Sequence, residues 1–534
     1  MLRGFHPIPD WRAVARILMT DALDAEGLAV LRAKGHSIVD ATKMDAAARA
    51  KEVAEAEAWL VRSGTTIKAE DLLGAKRLRA IGRAGVGVDN VDLAAATARG
   101  VAVFHAPTGN ITSAAEQAWA LMLACARRVP EADATMKQGR WERKLEGVEL
   151  AGKTLLLVGL GRIGKMMAQR AAAFEMTVLA HDPFVTPEAA KAMGAEWVAL
   201  DDGLAKADLI SLHTPLTAQT RHVIDAARLA KCKPTAILVN AARGPLVDPA
   251  ALADALDAGK LRAAGIDVWE EEPPADWRLA KHPKVVAAPH LGASTKEAQA
   301  KATLQACERV ADFLDSGDAG LAVNAQAAVD AKARPWAALV EALCGFGAQM
   351  LSDPLSELVV GATPGLDPKA LQVHALVGAI KASLDTPVNA INAPGLAQER
   401  GWAVASRVLP QGKEEPPRVQ VLLRAAKGKE LVLEGTHTPH YGTRLTRIDA
   451  YDVEVRPHGR FLVTRHKDIP GVLARITALL ADQTVNVASV SLARDGKGTA
   501  MAIIQVDGSV PVGVRDALRD GPAILEAHRI RMLD

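Results

Sequence analysis

Three separated polar residues in the middle of the chain have the types needed for hydride-transfer chemistry. Arg243, Glu272 and His290 each follow a short apolar run that predicts a buried parallel strand, over 236–240, 263–269 and 285–289. In an open parallel α/β sheet, ligands bind in the crevice outside the carboxyl ends of the strands. A guanidinium, a carboxylate and an imidazole at that edge suit the oxidation of an alcohol that also carries a carboxylate.

Each of these residue types has a distinct chemical use. The planar guanidinium of Arg243 can donate two parallel hydrogen bonds to a substrate carboxylate. The imidazole of His290 can take the hydroxyl proton as the hydride leaves, and return it in the reverse reaction. Glu272 precedes Pro273, which favours an extended backbone, and its carboxylate would stabilise an imidazolium. Taken singly, they also fit a surface ion pair, a structural histidine and a solvated acidic loop, but their shared strand-end position favours catalysis.

Residues 159–164 form the glycine pattern of a dinucleotide-binding turn, with a predicted strand before it and a predicted helix after it. Gly159 permits the tight turn, Gly161 lets the backbone approach a pyrophosphate, and Gly164 allows close helix–strand packing. The helix N-terminus supplies free N–H groups for the anion. Asp182, 18 positions after the last glycine, can bind a ribose diol and would repel a 2′-phosphate. This favours NAD over NADP, although a glycine turn used only for packing is the structural alternative.

The composition excludes several classes of protein. A chain of 534 residues is expected to form several domains. Its 64 basic and 62 acidic residues give a net charge of +2, which provides no basis for a nucleic-acid or membrane-surface partner. The sequence contains neither an apolar leader nor a run of 18 apolar residues. The four cysteines have no metal or redox spacing, so we expect reduced thiols in a cytoplasmic protein without a metal site.

Alternating strand and helix patterns predict two α/β units before about residue 323. Beyond it, helices over 335–351 and 368–384 are followed by antiparallel strands over 418–423, 430–434 and 447–456. The last part of the chain, from residue 460, has the order strand–helix–strand–strand–helix–strand. That order predicts a ferredoxin-like unit.

The segments GLGRIG, NAARGPLVD, WEEEPP and PHLGASTKEAQ resemble the NAD-dependent D-2-hydroxyacid dehydrogenase family. VRSG, GRAGVGVDNVDL and WERK are similar to the branch of that family that acts on a phosphorylated hydroxyacid. The resemblance covers essentially the whole chain after residue 16. It implies NAD-dependent oxidation of 3-phospho-D-glycerate to 3-phosphohydroxypyruvate, the first step of L-serine biosynthesis.

The resemblance also implies roles for individual residues. Arg243 would bind the substrate carboxylate, Glu272 would assist, and His290 would be the acid/base. Cofactor contacts are expected from Gly159, Gly161, Arg162, Ile163, Gly164, Asp182, Thr214, Ala241, Asp267, Gly292 and Ala293. Substrate contacts are expected from Arg62, Ser63, Arg83, Gly85, Val86, Gly87, Asn110 and, from a neighbouring subunit, Arg143. Val86 stands where many relatives carry threonine, which removes one possible hydroxyl contact.

The implied architecture is α/β with four domains. A split, flavodoxin-like substrate-binding domain comprises 16–106 and 300–325, with a Rossmann-like NAD-binding domain, 107–299, inserted in it. An α+β intervening domain, 326–458, resembles an allosteric substrate-binding domain, and 459–534 resemble an ACT regulatory domain. The family resemblance also implies a homotetramer.

The ACT-like segment contains candidate effector-binding residues, His466, Asp468 and Asn486. Asp468 could bind an α-ammonium group, while Asn486 and free helix amides could bind a carboxylate. L-serine is the effector that the resemblance implies. The structural alternative is that Asp468 caps the following helix and Asn486 closes a turn.

Two other functions fit parts of the sequence. One is the reduction of an unphosphorylated 2-keto acid such as hydroxypyruvate or glyoxylate, against which Arg62 and Arg83 argue. The other is an NAD-sensing, co-repressor-like binding protein, against which the amino-acid-sensor segment argues.

Overall fold

The computed structural model describes residues 14–325, 332–382, 388–519 and 521–532. The strands of these residues form four sheets, two of them entirely parallel. The predicted α/β fold class is confirmed. The domain start predicted at 326 and the helix end predicted at 384 lie outside the described residues. No described helix has the length and apolar character needed to cross a membrane.

The first sheet has five parallel strands in the order β2-β1-β3-β4-β5, which is the flavodoxin-like order. Helices connect its strands and cover its two faces. Its elements are β1 (Arg16–Met19), α1 (Ala25–Ala33), β2 (Ser37–Asp40), α2 (Ala46–Glu55), β3 (Ala58–Val61), α3 (Ala69–Gly74), β4 (Ala80–Arg83), α4 (Leu93–Ala98) and β5 (Ala102–His105).

The second sheet has seven parallel strands in the order β12-β11-β10-β9-β6-β7-β8. Its central strands β9 and β10 are buried at every position and mostly apolar, because helices cover both faces. Its elements are α5 (Ile111–Arg127), α6 (Val129–Lys137), β6 (Thr154–Val158), α7 (Arg162–Ala173), β7 (Thr177–His181), α8 (Pro187–Ala192), β8 (Glu196–Trp197), α9 (Leu200–Lys206), β9 (Leu209–Leu212), α10 (Ala226–Leu229), β10 (Ile237–Asn240), α11 (Pro249–Asp257), β11 (Ala263–Ile266) and β12 (Val285–Ala287).

The chain returns to the first sheet after β12. Helix α12 (Lys296–Ser316) packs on α1, β4 and β5. Its Phe313 ring meets Phe104 of β5 with the ring centroids 5.4 Å apart. The first sheet and the helices that cover it are therefore built from two separate stretches of the chain.

The third sheet is mixed, with the order β14-β13-β15-β16-β17-β18. Its elements are α13 (Arg334–Ala348), β13 (Leu355–Ala362), α14 (Pro368–Lys381), α15 (Ala393–Glu399), β14 (Ala403–Val408), β15 (Val419–Ala425), β16 (Glu430–Thr438), β17 (Gly442–Ile448) and β18 (Tyr451–Val455). The single strand predicted over 447–456 is wrong, because the chain turns at Asp449, which has a φ of 49°. Its carboxylate accepts a hydrogen bond from the Val432 N–H at 2.8 Å, which stabilises the turn.

The fourth sheet is antiparallel, with the order β20-β21-β19-β22, and it confirms the predicted ferredoxin-like unit. Its elements are β19 (Arg460–Lys467), α16 (Val472–Asp482), β20 (Val487–Arg494), β21 (Thr499–Val506), α17 (Val512–Arg519) and β22 (Ile524–Arg531).

The third and fourth sheets share one hydrophobic core. Helices α16 and α17 cover one face of the fourth sheet, and its other face packs into the core of the preceding domain. Phe461 of β19 meets Phe346 of α13 with ring centroids 5.6 Å apart. Gln349 donates to the Arg531 carbonyl at 3.1 Å and accepts from the Arg531 N–H at 2.9 Å. The two C-terminal domains are therefore packed as one unit.

We expect Phe461→Ala and Leu433→Ala to lower the urea midpoint of one and the same unfolding transition. Both side chains are buried in the shared core, on opposite sides of the domain boundary. Removing a buried Phe or Leu costs about 2–5 kcal/mol. Urea unfolding followed by fluorescence and circular dichroism measures this, with the exposed Phe184→Ala as the control. Two separate transitions, each sensitive to only one variant, would contradict the shared core.

Candidate active site

The carboxyl ends of three neighbouring strands, β10, β11 and β12, form the centre of the candidate site. The Asp267 N–H donates to the Asn240 carbonyl at 2.9 Å, and the His290 N–H donates to the Asp267 carbonyl at 2.7 Å. Strand β12 ends at Ala287 and not at 289 as predicted, because Pro289 has no N–H and His290 has a φ of 58°. Strand β11 likewise ends at Ile266, before the predicted 269. The shorter strands leave residues 267–269 and 288–290 outside the sheet, at the edge of the crevice.

The carboxylate of Asp267 holds this edge together. Its side chain is 0% exposed, so its charge needs internal partners. One oxygen accepts from Gln117 Nε2 at 3.0 Å and from the Leu291 N–H at 2.8 Å, and the other accepts from the Gly292 N–H at 2.9 Å. These bonds fix the loop in which His290 lies.

His290 and Glu272 form a direct pair. His290 Nδ1 lies 2.7 Å from Glu272 Oε2, and the Trp269 N–H donates to Glu272 Oε1 at 3.2 Å. Burial raises the pKa of Glu272, but the hydrogen bond and charge of His290, the Trp269 N–H and Arg243 hold it below its ordinary value. The His290 side chain is 45% exposed. The ionised carboxylate therefore holds the proton on Nδ1 and leaves Nε2 for a ligand. The Glu272–Pro273 peptide is cis.

Arg243 follows β10 and reaches across to the first sheet. Its Nε donates to Asp89 Oδ2 at 3.2 Å, and its Nη1 donates to the Ala242 carbonyl at 2.7 Å. Its Nη2 lies against Gly87, where a Cβ would come within 2.3 Å of that nitrogen. The guanidinium therefore lies beside the backbone segment 85–87, here called the amide strip. A side chain at position 87 would displace it.

Two further guanidinium groups follow strands of the first sheet. Arg62 follows β3, and its backbone is held by Asp21, which accepts from the Arg62 N–H at 2.6 Å. Arg83 ends β4, and its Nε is buried with no hydrogen-bond partner among the described residues. Burial, and then the charges of Arg243 and Arg62, lower the pKa of Arg83, while Asp89 and Asp21 oppose this. A site with three cations and an unpaired N–H suits an anionic ligand.

The other predicted substrate residues lie in different surroundings. Ser63 is exposed, and the Val86 carbonyl lies 2.7 Å from His105 Nδ1. Asn110 precedes α5, and its Oδ1 is buried without a hydrogen-bond partner in the described part of the chain. Arg143 is exposed in the irregular segment between α6 and β6.

The glycine turn between β6 and α7 is tightly packed at two of its glycines and open at the third. Gly159 has a φ of 99°, and a Cβ there would lie 2.7 Å from the His213 carbonyl carbon. A Cβ at Gly164 would lie 2.3 Å from the Gly159 oxygen, so this glycine permits the turn itself as well as packing. A Cβ at Gly161 would meet nothing within 4 Å. The N-terminus of α7 is therefore free to approach a pyrophosphate.

The remaining predicted cofactor residues surround that turn and the strand ends. Asp182 accepts from the Leu160 N–H at 2.9 Å and so ties the end of β7 to the glycine turn. Arg162 Nη1 donates to the Pro107 carbonyl at 3.1 Å. Thr214 lies beside Gly159, and Ile163 and Ala241 pack on the core of the second sheet. Gly292 is bound to Asp267, and Ala293 follows it.

Sequence reasoning missed three residues of this site. Asp89 lies in the loop predicted to bind anions. A carboxylate in such a loop would repel the ligand unless it pairs with a cation of the protein, and this could have indicated its role. Gln117 gives no local signal, since its partner Asp267 lies far along the chain. His213 follows β9, and its Nε2 lies 2.8 Å from Ser211 Oγ. Burial lowers the pKa of His213 to about 4, so it is neutral beside the glycine turn at physiological pH.

The predicted effector residues each contact a different partner. His466 is buried in β19, with Nδ1 3.0 Å from the Lys467 carbonyl. Asp468 pairs with Arg494 Nε at 3.3 Å, and Asn486 Nδ2 donates to Asp507 Oδ2 at 2.5 Å. The structural alternative that Asp468 caps α16 is wrong, since Gly471 occupies the N-cap position.

Three family models match the chain. The D-isomer specific 2-hydroxyacid dehydrogenase NAD-binding domain matches 119–292, the D-3-phosphoglycerate dehydrogenase intervening domain matches 332–449, and the ACT domain matches 460–520.

Relatives of known name match over most of the chain. The D-3-phosphoglycerate dehydrogenase of Mycobacterium tuberculosis is 43% identical over 492 residues, which cover 90% of this chain and 92% of the relative. That of Bacillus subtilis is 34% identical and covers 96% and 99%. A glyoxylate reductase structure from Paecilomyes thermophila is 30% identical with a TM-score of 0.51, covering 57% of this chain and 96% of its own. A D-lactate dehydrogenase structure from Escherichia coli is 27% identical, with a TM-score of 0.51 and coverages of 56% and 96%.

The fold, the site and the NAD-binding match define the chain as an NAD-dependent D-2-hydroxyacid dehydrogenase. More narrowly, the chain belongs to the D-3-phosphoglycerate dehydrogenase family, in the form with an intervening domain and an ACT domain. The resemblance, the enzyme class and the cofactor predicted from the sequence are confirmed.

We expect Gly87→Ala to raise KM for the hydroxyacid substrate by roughly tenfold, the loss of about one charge-assisted hydrogen bond. The new Cβ would lie 2.3 Å from Arg243 Nη2 and 2.6 Å from Asp89 Oδ2, so the ion pair must move. Steady-state kinetics measures KM, and Gly74→Ala is the control, because a Cβ there meets nothing within 4 Å. A wild-type KM in Gly87→Ala would show that the position of Arg243 does not matter for binding.

Proposed function

We propose that this protein oxidises 3-phospho-D-glycerate to 3-phosphohydroxypyruvate with NAD, the first step of L-serine biosynthesis. The observation that carries the proposal is the pairing of His290 and Glu272 at 2.7 Å beside a cleft with three guanidinium groups. The pair suits proton transfer at a hydroxyl, and the cations suit a substrate with two anionic ends. The relatives from Mycobacterium tuberculosis and Bacillus subtilis are named for this activity.

The proposed chemistry takes place at the C2 hydroxyl. Arg243 holds the C1 carboxylate against the 85–87 amides and Asn110. His290 Nε2 removes the hydroxyl proton, since Nδ1 is bonded to Glu272. The ionised Glu272 then stabilises the imidazolium. Bound NAD supplies the hydride acceptor for C2.

The phosphate end of the substrate accounts for the other cations. We assign Arg62 and Arg83 to the phosphate, because both lie at the carboxyl ends of strands in the first sheet. The Nε–H of Arg83 has no hydrogen-bond acceptor among the described residues and could donate to a phosphate oxygen. Ser63 adjoins Arg62, and Arg143 of a second subunit would complete the phosphate site. This assembly is part of the proposal, with a homotetramer as the proposed form and the cytoplasm as the proposed location.

The proposed cofactor site follows the glycine turn. The pyrophosphate would bind at α7 through Gly159, Gly161, Arg162, Ile163 and Gly164, and Asp182 would hold the ribose. The nicotinamide half would lie along the strand ends near Thr214, Ala241, Asp267, Gly292 and Ala293. The half-exposed His290 then lies between cofactor and substrate.

L-serine is the proposed effector of the ACT domain. His466, Asp468 and Asn486 would form its site, with Asp468 exchanging Arg494 for the α-ammonium group. The domains proposed are 16–106 with 300–325, 107–299, 326–458 and 459–534. Because the last two share a core, an effector bound by one would act on both.

The second candidate is the reduction of an unphosphorylated 2-keto acid. The similarity to a glyoxylate reductase structure over 57% of the chain favours it. The side chains of Arg62 and Arg83 argue against it, since such substrates have no phosphate to neutralise them.

NAD reduction at 340 nm with 3-phosphoglycerate at alkaline pH tests the proposal, with and without L-serine. We expect turnover by the wild type, inhibition by L-serine, and a loss of at least about 10²-fold in kcat for His290→Ala with NADH affinity retained. The exposed His440→Ala is the control. No wild-type turnover with 3-phosphoglycerate, combined with reduction of hydroxypyruvate or glyoxylate, would favour the second candidate. Turnover that is insensitive to L-serine would remove only the effector assignment.

A further inference from the structure

We propose that Asp89 is a positioning residue, which holds Arg243 across the domain cleft in the orientation that a substrate carboxylate requires. The inference rests on the proposed function, because it takes Arg243 as the carboxylate-binding group. Asp89 lies in the loop after β4 of the first sheet, and Arg243 lies after β10 of the second. Arg243 Nε donates to Asp89 Oδ2 at 3.2 Å, so the ion pair bridges the two sheets.

The contacts of the guanidinium fix its plane. Nε is held by Asp89 and Nη1 by the Ala242 carbonyl at 2.7 Å. Nη2 lies close to the α-carbon of Gly87, at the end of the amide strip proposed for the carboxylate. Two-point recognition of a carboxylate depends on the orientation of this plane. Asp89 therefore keeps the Nη2 edge of Arg243 facing the strip.

Asp89 also opposes the mutual repulsion of the cations. Burial and then the charge of Arg243 lower the pKa of Arg83, whereas Asp89 acts in the opposite direction. Asp21, the other acidic contributor, accepts hydrogen bonds from the backbone N–H of Arg62 and from Thr65, so its carboxylate is already engaged. Without Asp89, Arg243 would be free to swing away from Arg83 into solvent.

The ion pair is too exposed to serve mainly for stability. The Asp89 side chain is 70% exposed, and exposed ion pairs contribute little to folding. Its effect is thus expected in substrate binding. A residue that acts only through Arg243 should change KM while leaving unfolding and NADH affinity as they are.

The first test compares Asp89→Ala and Asp89→Asn in the full chain with 3-phosphoglycerate. We expect Asp89→Ala to raise KM roughly tenfold, with a much smaller change in kcat. The misplaced Arg243 would lose about one charge-assisted hydrogen bond to the substrate carboxylate. Asp89→Asn should raise KM less, because its amide oxygen can still accept from Arg243 Nε. Asp92→Asn is the matched control: Asp92 lies in the same loop but caps α4 through the Ala95 N–H at 2.9 Å. A lower KM in Asp89→Ala would overturn the proposal, since it would show that Asp89 competes with the substrate.

A double-mutant cycle separates positioning from a general structural role. In an Arg243→Lys background, Asp89→Ala should raise KM far less than it does in the wild type, because the group it positions is gone. An equal increase in both backgrounds would overturn the proposal. Circular dichroism and NADH titration of each variant show whether folding and cofactor binding are retained.

The substrates distinguish this inference from the proposed function. Hydroxypyruvate and glyoxylate carry the same carboxylate beside the reacting carbon but no phosphate. If the wild type turns over only these, with NADH, the proposed function fails, and the same KM comparison tests Asp89. If the wild type oxidises 3-phosphoglycerate and Asp89→Ala leaves KM unchanged, the inference about Asp89 fails alone.

Discussion

The buried carboxylate of Asp267 is the interaction on which the site most depends. A charge at 0% exposure is costly unless it is hydrogen-bonded, and three N–H groups bond to this one. The Asp267 carbonyl also accepts from the His290 N–H, in a loop where His290 has a φ of 58°. A non-glycine residue in this region is strained, and such strain persists only where the surroundings fix it. Asp267 fixes it, and His290 thereby meets Glu272 at 2.7 Å.

The cleft follows from the way in which the chain is divided between two parallel sheets. Their carboxyl ends face the same space, so Arg62 and Arg83 from one sheet meet Arg243 from the other. The Arg243–Asp89 ion pair crosses there and joins a charged side chain of one unit to a charged side chain of the other. Such polar contacts let a substrate bind between the sheets without unpacking either core. The C-terminal domains differ, since a continuous apolar core joins them.

Local sequence patterns predict the strand edge of the site and the glycine turn. Apolar runs that are followed by Arg243, Glu272 and His290 predict the strand edge, because parallel strands place their ends together. The glycine turn carries its own signal in Gly159. Asp89 and the partners of Asp267 could not be foreseen, since their contacts join distant stretches of chain.

Strand β14 was not predicted. All of its residues are exposed, so it shows no alternation of buried and exposed positions. The turn at Asp449 was missed because it interrupts a run of strand-forming residues.

The role of the Asp267 carboxylate is tested by the turnover of Asp267→Asn, measured together with its NADH affinity and its far-ultraviolet circular dichroism. The amide keeps the size of the side chain but leaves one of the three N–H donors without an acceptor, so the loop with His290 must shift. We expect a folded protein whose kcat falls by about 10²-fold, as small misplacements of catalytic groups can cause. Wild-type kcat in the folded variant would contradict the claim that this buried carboxylate sets the geometry of the catalytic pair.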